Sequence, residues 1–69
     1  MKTFDVGRDQ SKIELSRDEL LILNACLNEV CNGIALFEFD TRIGASRDQV
    51  AELLREVNQV LDRMDVAAS

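Results

Sequence analysis

Ser16-Arg17-Asp18-Glu19-Leu20 and Ser46-Arg47-Asp48-Gln49-Val50 carry one local signal twice, thirty residues apart, and its reading decides the fold. In each, a serine hydroxyl can accept from the backbone N–H three residues on. The Glu19 or Gln49 side chain can reach back to the serine N–H, which makes a capping box. An apolar residue before each serine, Leu15 or Ala45, pairs with Leu20 or Val50 as a hydrophobic staple. Two helices therefore start here, one after each serine.

The stripes that follow carry the helices onward. Leu20, Leu23, Leu27, Val30, Cys31 and Ile34 recur at helical spacing, and Asn32-Gly33 offers a left-handed stop, so the first helix is expected over residues 17–32. Val50, Leu53, Leu54, Val57, Val60, Leu61 and Met64 form a single stripe with Glu52, Arg55, Glu56, Gln59 and Arg63 away from it. The second helix is expected over 47–65, with 66–69 frayed. At the thirty-residue offset the segments share Ser16/Ser46, Arg17/Arg47, Asp18/Asp48, Leu23/Leu53, Asn28/Asn58 and Val30/Val60. Duplication would explain this, but so would two helices that use the same start signal, and the second reading needs less.

Before the first helix, Phe4 and Val6 alternate with polar residues, as do Ile13 and Leu15, around the turn Gly7-Arg8-Asp9-Gln10. A hairpin of Lys2–Val6 with 12–15 is expected, packed on the first helix, because an isolated hairpin is marginal in water. The linker over 35–45 places Phe37, Phe39, Thr41 and Ile43 at alternate positions. It reads as a third short strand or as a loop pinned by its two phenylalanines. The fold class is α+β, mainly α: an antiparallel two-helix hairpin (17–32 and 47–65) covered by a short N-terminal β-hairpin, in a single small domain spanning 1–69.

At 69 residues the core is thin, since a chain this short buries only about 60% of its unfolded surface. Small domains commonly add a disulfide, a metal or a second subunit. With no histidine and only Cys26 and Cys31, neither of the first two is suggested. Five residues apart on one helix, those cysteines lie about 140° apart around its axis and can neither pair nor share an ion. Cys31 falls on the core stripe and reads as a small apolar residue.

Without histidine, Ser-His and Cys-His nucleophiles are excluded. Glu38 and Asp40 share a face if the linker is extended, but so small a domain has little room for the dry pocket that paired acid/base carboxylates need. Asp62 and Asp65 sit in a helix rather than an oxygen-rich loop, and Gly7, Gly33 and Gly44 are isolated turn residues, not a phosphate loop. The sequence thus points away from an enzyme, and no cofactor or metal is implied. The N-terminus lacks the apolar core of a secretory signal, and no run approaches the roughly 18 apolar residues of a spanning helix, so a cytoplasmic location is expected.

What remains is binding. The first helix carries Leu21, Ile22, Ala25 and Cys26 off its main stripe, more apolar surface than one neighbour covers. Leu21, Ile22 and Cys26 are the expected protein-interaction residues, for a homodimer or one protein partner, unless the N-terminal hairpin covers them. The net charge of −5 repels phosphate backbones, so nucleic acid is not expected. An acidic surface of Glu38, Asp40, Asp48, Glu52 and Glu56 would suit a basic partner, in the manner of small immunity proteins and antitoxins. In the linker, Arg42 is expected to pin the chain by pairing with Glu38 or Asp48.

Two local resemblances bear on this. Ile43-Gly44-Ala45-Ser46-Arg47-Asp48-Gln49-Val50 and the helix after it resemble the turn and recognition helix of helix-turn-helix regulators. That resemblance implies DNA binding through Arg47, Gln49 and Arg55. Against it, residues 36–42 do not read as a positioning helix, Asp40 stands where such motifs have a small buried residue, and Asp48, Glu52 and Glu56 would face phosphates. Leu23-Asn24-Ala25-Cys26-Leu27-Asn28-Glu29-Val30 and Phe39-Asp40-Thr41-Arg42-Ile43-Gly44-Ala45-Ser46 resemble the short uncharacterised bacterial protein family with an LNxxLNEV helix and an FxTRIGxS linker. It implies a stable bacterial module and no particular activity. The expected function is a non-enzymatic protein–protein interaction module.

Overall fold

The computed structural model describes residues 1–33 and 35–68, in the order strand, strand, helix, short helix, long helix. β1 (Lys2–Val6) and β2 (Ser11–Glu14) pair antiparallel; α1 spans Arg17–Asn28, α2 Phe39–Ile43 and α3 Arg47–Ala68. The class is the expected mainly helical α+β. Ile34, placed on the first stripe, and Ser69, placed in a frayed end, lie outside the described residues. Residues 66–68, expected to fray, continue α3.

Both capping boxes form. Ser16 Oγ accepts from the Glu19 N–H at 3.1 Å, while the Ser16 N–H donates to Glu19 Oε1 at 2.9 Å. Ser46 and Gln49 repeat the exchange at 3.1 and 2.8 Å. Each cap satisfies N–H groups that the first helical turn cannot.

α1 does not stop at a left-handed Gly33. It widens into a π-helical turn over Glu29–Gly33, and Gly33 keeps a negative φ. The left-handed glycine is Gly44 instead, with φ 83°, whose N–H closes α2 on the Asp40 carbonyl. The linker is thus a helical turn and not a strand. Alternation of Phe37 and Phe39 misleads here: Phe39 is buried, whereas Phe37 is 78% exposed and pins nothing.

The core lies along the α1–α3 seam in two clusters. Leu20, Val57 and Leu61 form one, with Leu15, Leu27 and Met64 packed against it. Cys31, Phe39 and Val50 form the other, flanked by Leu36, Ala45 and Leu54. Positions thirty apart occupy matching places in this antiparallel pair: Leu20 and Val50 are both buried, as are Cys31 and Leu61. Asn24 and Asn58 hydrogen-bond across one side of the seam, and Arg17 pairs with Asp65 there.

The hairpin forms with an irregularity in its register. Lys2 faces Glu14, Thr3 faces Ile13, Asp5 faces Lys12 and Val6 faces Ser11, leaving Phe4 as a bulged extra residue. At its turn the Gly7 N–H donates to the Gln10 carbonyl at 2.7 Å, and a Cβ on Gly7 would stand 2.8 Å from that oxygen. The bulge puts Lys2, Asp5, Lys12 and Glu14 on one face. Asp5 and Lys12 line a groove opposite Leu53 and Glu56 of α3, and Lys2 and Glu14 line a recess beside Glu19. Lys2 Nζ lies 5.2 Å from the Phe4 ring centroid, and Phe4, Val6 and Ile13, expected to cover α1, are instead 62%, 71% and 47% exposed.

Removing buried methyl groups from the seam should cost about 2–4 kcal/mol in Leu20→Ala or Leu61→Ala, read by urea denaturation. Leu21→Ala, at an exposed position, should stay within about 0.5 kcal/mol. Each of Ser16→Ala and Ser46→Ala should cost about 1 kcal/mol, or about 4–8 °C in Tm for a domain of this size.

Candidate interaction surface

Two arginines, each the first residue of its helix, reach across to the far end of the other. Arg47 Nη1 donates to the Cys31 carbonyl at 2.6 Å, and its guanidinium carbon lies 4.5 Å from the Phe39 ring centroid. The last carbonyls of a helix lack intrahelical donors and carry partial negative charge, so a cation there is doubly suited. The planar guanidinium also stacks on the ring beside it. Arg17 makes the reciprocal reach to Asp65 near the end of α3. Arg42, expected to pin the linker, forms no ion pair among the described residues, and Arg47 does that work.

This geometry bears on the helix-turn-helix resemblance. α2 is helical, unlike the expectation for 36–42, but it is a single turn of five residues. The three side chains that would meet a base are engaged within the chain. Arg47 is turned onto Cys31 and Phe39; Gln49 accepts from the Ser46 N–H; Arg55 binds Glu52 through Nε at 3.1 Å and a second bond from Nη2. Arg55 likewise neutralises one member of the expected acidic surface and holds the Glu52 carboxyl below its ordinary value.

All three expected interaction residues are exposed. Leu21 is 45% and Ile22 64% exposed, and Cys26 stands open while Cys31 is buried. At 100° per residue they do not form one patch. Ile22 and Cys26, four apart, stack on the outer face of α1, joined on its flank by Leu23, three before Cys26. Leu21 lies on the other side of the helix, near Arg17 and Asn24. Leu23 falls on the core stripe, yet α3 leaves it 36% exposed, which the stripe alone does not show. The exposure of Phe4 and Val6 likewise depends on where the hairpin sits and not on alternation along its strands.

Among the described residues no group of three or more His, Cys, Asp or Glu is placed to hold a metal ion, and no helix is long and apolar enough to cross a membrane. A depression between the hairpin turn and α3, bordered by Asp5, Arg8, Lys12, Leu53 and Glu56, is open to solvent. At the base of the hairpin the Met1 ammonium sits 2.7 Å from Glu19 Oε2 and, with the Ser16 N–H, holds the Glu19 carboxyl below its ordinary value.

Arg47→Met should lower stability by about 1–3 kcal/mol in thermal denaturation, and Arg47→Lys should not restore it, because an ammonium cannot both stack and reach the carbonyl. Arg42→Ala should be neutral in the same assay. Because the Glu19 value is depressed on folding, its contribution is complete above about pH 4.3 and fades as pH falls through the lower folded value. Carboxyl NMR should show an early Glu19 midpoint that rises when the N-terminus is acetylated. No family model, curated protein or solved structure matches the chain.

Proposed function

We propose that this protein is a non-enzymatic protein–protein interaction module whose first partner is a second copy of itself. The observation that carries the reading is an excess of apolar surface. Among the described residues only Leu20, Cys31, Phe39, Val50, Val57 and Leu61 are buried, whereas twice as many large apolar residues stand exposed. The accessible area, 5620 Å², exceeds by about 1200 Å² the roughly 4400 Å² that a folded monomer of 7.8 kDa presents. The radius of gyration is 13.8 Å, against about 11 Å for a compact chain of this length. A flattened shape of 39 × 33 × 16 Å accounts for both.

Large exposed apolar patches on small chains mark places where another chain sits. A typical specific interface buries about 800 Å² on each partner, which the excess here supplies. The engagement of Arg47, Gln49 and Arg55 within the chain favours a protein partner over DNA. So does the net charge of −5, which repels phosphate.

Sedimentation equilibrium tests the reading. The wild-type chain should be dimeric at tens of micromolar, and Ile22→Glu should make it monomeric while its helical circular dichroism is kept. A wild-type chain that stays monomeric at millimolar concentration would defeat self-association. Unfolding of Ile22→Glu would instead place Ile22 in the interior of the monomer.

A further inference from the structure

We infer that Asn32-Gly33 is a spontaneous modification site gated by the π turn: when the turn opens, Asn32 closes on the Gly33 nitrogen, loses its amide as ammonia and becomes acidic. Of the four asparagines, Asn24, Asn28 and Asn58 precede Ala25, Glu29 and Gln59, and only Asn32 precedes a glycine. Glycine has no side chain to crowd its nitrogen, and it reaches backbone conformations that other residues avoid. Asn32 and Gly33 are both exposed, so water and solvent base reach them.

The chemistry takes in one water and releases one ammonia. The Gly33 nitrogen attacks Asn32 Cγ and gives its proton to solvent base. A C–N bond forms, the Cγ–Nδ2 bond breaks, and the amide nitrogen leaves with a proton. Water then opens the cyclic imide. Breaking its bond from nitrogen to Cγ gives aspartate on the original backbone. Breaking the bond to the backbone carbonyl carbon gives isoaspartate, whose main chain runs through Cβ and Cγ.

The fold holds this reaction back. Ring closure needs ψ of Asn32 to leave the helical range, where the π turn over Glu29–Gly33 keeps it. Asn32 Nδ2 also donates to Asn28 Oδ1 at 3.1 Å, which ties the side chain back along the helix and away from the next nitrogen. Once formed, the product disturbs the same place. Its carboxylate lies at the negative end of α1, and the Glu29 carboxylate already fills the space where a Gly33 side chain would stand. Isoaspartate adds a backbone carbon one residue after Cys31, whose carbonyl Arg47 holds at 2.6 Å. Modification therefore loosens that end of the seam, and in one direction only, because water does not restore the amide.

The test keeps the full chain in neutral buffer at physiological temperature, folded and in guanidinium chloride, and follows each asparagine by peptide mass spectrometry. Isoaspartate is counted by methyl transfer from S-adenosylmethionine with an isoaspartyl carboxyl methyltransferase. In guanidinium Asn32 should convert first, and folding should slow it at least about 10-fold, equivalent to an opening of about 1.4 kcal/mol. Gly33→Ala should slow the unfolded reaction too, since a methyl then crowds the nitrogen. Asn32→Asp should lower Tm by about 2–6 °C. Conversion of Asn24, Asn28 or Asn58 ahead of Asn32 in guanidinium overturns the site. Equal rates in folded and unfolded chains overturn the gating by the turn. An Asn32→Asp chain as stable as wild type overturns the loosening.

Discussion

The Arg47 guanidinium is the point on which three elements depend. It begins α3, donates to the carbonyl of Cys31 where α1 has widened into its π turn, and stacks on Phe39 of α2. Without a donor, that carbonyl would lie at a part-buried helix end with no partner, which costs about 1–3 kcal/mol. The contact also explains why α2 is a helical turn. Winding over Phe39–Ile43 sets the Phe39 ring between Cys31 and Val50 and under the guanidinium.

At the opposite end of the seam, Arg17 on Asp65 repeats the arrangement with less consequence. Both of its groups are about half exposed, and surface pairs contribute about 0–1 kcal/mol. The two ends therefore differ in rank. The Arg47 end is tied by a hydrogen bond, a ring and a buried cluster, while the Arg17 end relies on Leu20, Val57 and Leu61 with Leu15 tucked beneath.

Between those ends the seam is one line of contact between two helices, which is why the core is thin. Each helix buries only a narrow stripe, and Leu53 and Val60 on the flank of α3 stay about half exposed, as Leu23 does on α1. A third layer would cover them, but the hairpin is not placed to be that layer. Every residue of its two strands is exposed, and an open groove separates its turn from α3. The same geometry that leaves the monomer incompletely covered is what supports the reading of it as an interaction module.

The features legible from the chain alone rest on residues within about four positions of one another. The two capping boxes, the starts of α1 and α3, the hairpin turn at Gly7 and the burial of Cys31 all rest on neighbours at that range or on strict helical spacing. These interactions form in much the same way whatever surrounds them. The remaining features depend on contacts between separate elements, such as Cys31 with Phe39 or with Arg47. Arg47 rather than Arg42 became the pin because only Arg47 begins a helix that abuts the end of α1. Phe39 was chosen over Phe37 by a pocket built from Cys31 and Val50. The hairpin's register was set by one extra residue, which alternation along a single strand cannot reveal, since a bulge exists only relative to a partner strand.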